Sequence, residues 1–251
     1  MKTQIVLTVS ESKRLIAKGV CKLAMVQRAL KQGLIIIPTG STNGYIIEEL
    51  TDIEFDKTGY MTGQTLPARV DPGNLNRGDR APDVVLEKGR LNRELDRITA
   101  AENMDKDDVF IKGANALNYE KGVVGVLIGH PAGGTIGGAI GHIIGKRGNL
   151  VIPVGLEKCI SSDIYEMAEL ANKDNNDYDS SVPRLWPLQG TIVTEIEALE
   201  ILFDVKVSQL AAGGLGGAEG SVRLLADGNR EEIDKLKEFI DEIQGEPEFY
   251  Q

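Results

Sequence analysis

Sulfur, imidazole and aromatic side chains are scarce in this chain of 251 residues, which holds two cysteines, two histidines, one tryptophan and only 5% aromatics. Cys21 and Cys159 have no CxxC spacing. Neither a disulfide framework nor a zinc site is therefore expected, and both read as buried core thiols. His130 and His142 have no cysteine or carboxylate at ligand spacing, so no metal is expected, and nothing in the sequence calls for a cofactor. Long apolar runs are missing too. No window reaches the roughly 20 residues of a membrane span, and Met1-Lys2-Thr3-Gln4 leads into no secretory segment, so a cytoplasmic location is expected. Positive charge is the minority sign, 28 Lys and Arg against 38 Asp and Glu, for a net charge of −10. Such a surface repels phosphate backbones and anionic headgroups, so nucleic acid and membrane are not expected partners, whereas a local basic pocket for a small anion is compatible with it.

What is present is glycine, 29 residues, within a chain of globular proportions that is 41% hydrophobic. Ile16, Val20, Leu23, Val26 and Leu30 recur at helical spacing and stop at Gly33. Leu34-Ile35-Ile36-Ile37, bounded by Gly33 and Pro38, reads as a strand covered on both faces. Further strands are expected at 82–86, 108–111, 123–128 and 150–154, and a helix over 90–104. Residues 53–82 are dense in turn formers, including Asp71-Pro72-Gly73-Asn74 and Asn76-Arg77-Gly78-Asp79, and read as a loop-rich flap. Beyond the polar run 172–181 the order is strand, helix, strand, strand, helix, with Thr194 and Glu197 forming a capping box. The expected fold is α/β, a mainly parallel Rossmann-like sheet with helices on both faces. A ligand-binding domain over 1–171 is followed by a loop at 172–184 and a smaller ferredoxin-like α+β unit over 185–251.

Three segments carry chemistry. Thr39-Gly40-Ser41-Thr42-Asn43 follows a buried strand and opens a helix, an arrangement that presents amides and hydroxyls to a phosphate or carboxylate or else merely caps the helix. Lys112 and Asn115 follow the strand ending at Ile111, and strands of a parallel sheet bring their carboxyl ends to one edge. Gly133-Gly134-Thr135 allows backbone to approach a ligand, with His130 beside it able to titrate near neutral pH. One crevice built from 39–44, 112–115 and 130–135 is expected. Arg77, Arg80, Arg90, Arg93 and Arg97 concentrate positive charge nearby in sequence.

With the strand-Gly40-Ser41-Thr42-Asn43-helix element, Lys112-Gly113-Ala114-Asn115, Gly133-Gly134-Thr135 and Val151-Ile152-Pro153-Val154-Gly155-Leu156-Glu157-Lys158 in that order, the chain resembles the superfamily of ribose-5-phosphate isomerase, DeoR-type sugar-phosphate sensors and CoA-transferases. The resemblance implies that Ser41 and Thr42 hold a phosphate. It departs where the isomerases carry Asp-Gly-Ala-Asp-Glu, because this chain has Lys112-Gly113-Ala114-Asn115-Ala116. No acidic base follows the glycine loop near Gly137-Gly138-Ala139-Ile140, which leaves Glu157 and Lys158 as substitutes. The expectation is a binder of a small phosphorylated or carboxylated metabolite, related to the isomerases, with a non-catalytic sensor or an acyl or CoA transferase as alternatives. Homo-oligomerisation is left open. Candidate catalytic residues are Lys112, Glu157, Lys158 and His130; candidate substrate-binding residues are Thr39, Gly40, Ser41, Thr42, Asn43, Asn115, Gly133, Gly134 and Thr135.

Overall fold

The computed structural model describes residues 1–53, 55–71, 73, 75, 78–173 and 182–250. The expectations that rest on Pro72, Asn74, Asn76 and Arg77, and on the 174–181 part of the boundary loop, lie outside the described residues.

The chain opens with a strand absent from the sequence reading, β1 (Lys2–Leu7), in which Ile5 and Leu7 are buried. The helical stretch expected from Ser10 to Leu30 is two helices, α1 (Val9–Lys22) and α2 (Ala24–Gln32), separated at Leu23, which leaves helical geometry with ψ 132°. The helix α1 begins with a capping box between Thr8 and Glu11. Next come β2 (Leu34–Ile37), α3 (Ser41–Leu50), β3 (Val84–Glu87), β4 (Arg90–Leu91), α4 (Arg97–Asn103) and β5 (Val109–Ile111). The expected helix over 90–104 therefore forms only in its second half, where Asp96 caps it by accepting from the amides of Ile98 and Thr99. Between Leu50 and Val84 the described residues form no strand, and a 3-10 turn stands at Lys57–Gly59.

The chain continues with β6 (Ala116–Asn118), β7 (Val123–Ile128), α5 (Gly134–Gly145), β8 (Asn149–Pro153), α6 (Ile164–Asn172), β9 (Arg184–Leu188) and β10 (Thr191–Val193). It ends with α7 (Glu195–Leu202), β11 (Val205–Ala212), β12 (Val222–Gly228) and α8 (Arg230–Ile243).

The largest sheet has the order β10-β8-β5-β2-β3-β4. Its first four strands are parallel, and β3 and β4 add antiparallel at the far edge. Consecutive residues of its middle strands are all buried, Ile35, Ile36 and Ile37 in β2 and Val109, Phe110 and Ile111 in β5, which requires cover on both faces. The hairpin β6-β7 stands outside this sheet and pairs antiparallel with β9 through β7, so the strand 123–128, buried from Val123 to Val126 and exposed at Leu127, belongs to a separate three-stranded sheet.

The order strand, helix, strand, strand, helix expected after residue 185 is present, but its strands are shared out. The strand β10 is the parallel edge of the large sheet, while β11 and β12 form a third sheet whose other edge is β1. Cys21 is buried as expected; Cys159 is exposed instead, because the 3-10 turn at Leu156–Lys158 ends there and turns its side chain outward. Among the described residues no helix is long and apolar enough to cross a membrane.

Candidate functional site

Four parallel strands end side by side, so the segments that follow β2, β5, β8 and β10 share one edge of the large sheet. The first is tied to the second by Asn43, whose side-chain amide donates to the carbonyls of Pro38 (2.7 Å) and Ile111 (3.0 Å). The alternative in which Ser41 or Thr42 caps α3 is not what forms. Gly40 occupies the N-cap position and the helix start has no side-chain cap. Its first turn therefore opens uncapped beside the end of β5, with Thr42 and Asn43 buried and Ser41 half-buried.

After β5 the backbone carbonyls of Ile111, Gly113 and Ala114 form a short row of acceptors. Ile111 O takes Asn43, Gly113 O takes the Lys112 amine at 2.9 Å, and Ala114 O takes the Lys158 amine at 2.9 Å. Two lysine amines thus sit on consecutive carbonyls of one loop. Burial first, and then the neighbouring Lys158 ammonium, pull the Lys112 amine down from 10.5 to about 8. Lys13, from the first half of α1, joins them. Burial lowers its amine to about 8, with Lys158 acting in the same direction and Glu157 against it. Among the described residues none of these three lysines makes an ion pair with a carboxylate.

Two carboxylates complete the cluster. Glu157 folds back over Gly155, where an added Cβ would lie 1.8 Å from its Oε2, so the close approach needs glycine. Glu195, the first residue of α7, is fully buried, and its Oε2 accepts from the Leu156 amide at 2.9 Å. Burial, followed by repulsion from Glu157, raises its carboxyl from 4.5 to about 7, against the opposing pull of the Leu156 and Glu195 amides and the Ser12 hydroxyl. Three buried acceptor atoms in this region take no hydrogen bond: Asn43 Oδ1, Glu157 Oε2 and Glu195 Oε1. Buried acceptors are rarely left unpaired, and each costs stability unless a donor reaches it.

The structure brings together Lys112, Glu157, Lys158, Asn43 and the start of α3, with Lys13 and Glu195 added. Sequence reasoning missed those two. Glu195 could have been found, since it follows the strand 191–193 and the capping Thr194 at a strand's carboxyl end. Nothing in the sequence separates Lys13 from Lys18, Lys22 or Lys31.

Asn115 is exposed and holds the β6-β7 hairpin, accepting at Oδ1 from the Leu127 amide (3.0 Å). His130 is exposed, and its Nδ1 accepts from the Ala132 amide at 3.1 Å, shaping the turn that leads to Gly133, whose φ of 80° is left-handed. His130, Gly134 and Thr135 line a different cavity, about 990 Å³, together with Thr39, Arg93 and Arg97. Its wall includes the ion pair Arg97 to Asp83, and Asp83 also accepts from the Thr39 amide (2.9 Å). None of Lys112, Asn115, Glu157 or Lys158 lines it. The expected single crevice is therefore two features, a lysine and carboxylate cluster at the strand ends and a cavity between α5 and the segment before β3.

No protein-family model matches the chain, and neither a curated protein nor a solved structure matches it.

Proposed function

We propose that the chain binds a small phosphorylated or carboxylated metabolite at the carboxyl edge of the parallel strands, with Lys112, Lys158 and Lys13 holding its anionic group. The observation that carries this reading is the pair of lysine amines on the adjacent carbonyls of Gly113 and Ala114, amines that have no carboxylate partner among the described residues. Holding ammonium groups close together away from water is unfavourable unless a negative charge joins them. The uncapped first turn of α3 supports the same ligand charge. The unpaired oxygens of Asn43, Glu157 and Glu195 call for donors on the ligand, such as hydroxyl or amine groups, beside its anionic group. A sugar phosphate or a hydroxy acid has both.

Thermal unfolding tests the reading with inorganic phosphate and ribose 5-phosphate as probes and neutral ribose as the control. A ligand at 100 times its dissociation constant stabilises by about 2.7 kcal/mol, which in a chain of this size raises Tm by about 5–10 °C. Lys112→Met and Lys158→Met abolish that shift, and Ser41→Asp does so by placing negative charge at the start of α3. Equal response to ribose, or full shifts in all three variants, removes the proposal.

A further inference from the structure

We propose that Lys112 is a nucleophile that forms an imine with the carbonyl carbon of an anionic substrate, while Lys158 and Lys13 retain the substrate's carboxylate or phosphate. The inference rests on the binding reading above and adds a reaction to it. Its basis is placement. The Lys112 amine lies at the end of β5, anchored only to a neutral carbonyl, with the Lys158 amine on the very next carbonyl and no carboxylate paired with either among the described residues. A lysine is activated for attack on carbonyls by burial away from water and by a second cation beside it, because both favour the uncharged amine. Lys112 has both, and its amine pKa of about 8 follows from them. Near pH 7 the uncharged fraction of such an amine exceeds that of an ordinary lysine on the order of a hundredfold.

The step balances without an oxidant or reductant. The ammonium first releases one proton to solvent. The amine lone pair then forms a C–N bond to the carbonyl carbon, whose π pair moves onto oxygen. The two remaining amine hydrogens leave with that oxygen as water, and the nitrogen lone pair closes the C=N bond. Solvent returns the proton that the carbinolamine oxygen needs before it departs.

Borohydride trapping on the full chain tests this, with pyruvate and glyoxylate as carbonyl probes and peptide mapping by mass spectrometry as the readout. The expected result is a reduced adduct on Lys112 at neutral pH, at least about tenfold above that on the exposed Lys237. In Lys112→Arg, which keeps the charge, that adduct disappears. In Lys158→Met the adduct needs more probe because the anion's anchor is gone, and at saturating probe the loss of the neighbouring cation moves the pH midpoint of adduct formation upward. If Lys112→Arg does not fold, the map of the unaltered chain decides alone. Adducts spread evenly over surface lysines, an adduct centred on Lys158 or Lys13, or an unchanged midpoint in Lys158→Met overturns the proposal. Trapping that fails while inorganic phosphate still raises Tm refutes the imine and leaves the binding site standing; failure of both removes both.

Discussion

Glu195 and Lys112 are single residues whose protonation is set by the same burial, with opposite consequences for pH dependence. Glu195 has a carboxyl raised from 4.5 to about 7 in the fold. The folded chain therefore binds more protons than the unfolded chain between those values, and stability falls as pH rises through that window. Glu195→Gln keeps the acceptor for Leu156 and removes the titration, so its Tm should decline less between pH 5 and pH 8 than that of the unaltered chain. Parallel Tm profiles would show that Glu195 is charged throughout. Lys112 has the reverse sign. Its amine is lowered from 10.5 to about 8, so the cost of the buried charge is present below pH 8 and is relieved as pH rises toward 10.5. Lys112→Met retains the apolar stem and deletes that cost. Tm at pH 7 should hold or rise by about 2–4 °C, the size expected for a gain near 1 kcal/mol, even as the response to phosphate is lost.

Helices and strands were legible in the sequence wherever one physical signal dominated. The run 34–37 and the run 109–111 are short, continuous and apolar, and both are buried parallel strands. The capping box Thr194-Glu197 opens α7, and the three- and four-residue steps of Ile233, Leu236, Ile240 and Ile243 form the buried face of α8. Elements with weaker signals escaped. In β1 only Ile5 and Leu7 are buried, too few for an alternating pattern to stand out. The break at Leu23 has no glycine or proline to mark it. The candidate site was half legible, because strand ends point to Lys112 and Lys158, whereas Lys13 and Glu195 join them only through the packing of α1 and α7. That packing is tight at Gly19, where an added Cβ would lie 2.6 Å from Ala198 Cβ and 2.7 Å from its Cα. Alanine for glycine within a helix ordinarily gains about 0.5–1 kcal/mol, but here the backbone of α7 stands in the way. Gly19→Ala should instead destabilise by about 1–3 kcal/mol, as overpacking does, measured by urea unfolding. A stabilised variant would show that α1 and α7 yield easily.

At the scale of the whole molecule, Arg14 joins segments far apart in sequence. It pairs with Glu48 (2.6 Å) and Glu49 (2.9 Å) of α3 and with Glu246 (2.9 Å) beyond α8, and it lies 4.8 Å above the centre of the Tyr45 ring. Past Glu246, Phe249 packs 6.3 Å from Tyr45, and the Lys13 amine sits 5.2 Å from the Phe249 ring centre. Arg14 alone reaches all three carboxylates, while Lys18 pairs with Glu49 and Lys57 with Glu48 and Glu246. Removing it should cost about 3 kcal/mol, so Arg14→Ala should lower the urea midpoint well beyond what Glu49→Gln does. Equal midpoints would mean that Lys18 and Lys57 neutralise the carboxylates unaided.

The third sheet sets a further condition on how the chain is made. Leu7 of β1 pairs with Val222 of β12, and the Gly228 amide donates to the Met1 carbonyl at 3.0 Å. During synthesis at roughly 5–20 residues per second, β1 leaves the ribosome tens of seconds before its partner strand exists. Throughout that interval Ile5 and Leu7 lack the strand they pair with, so β1 is secured only after β12 has been made.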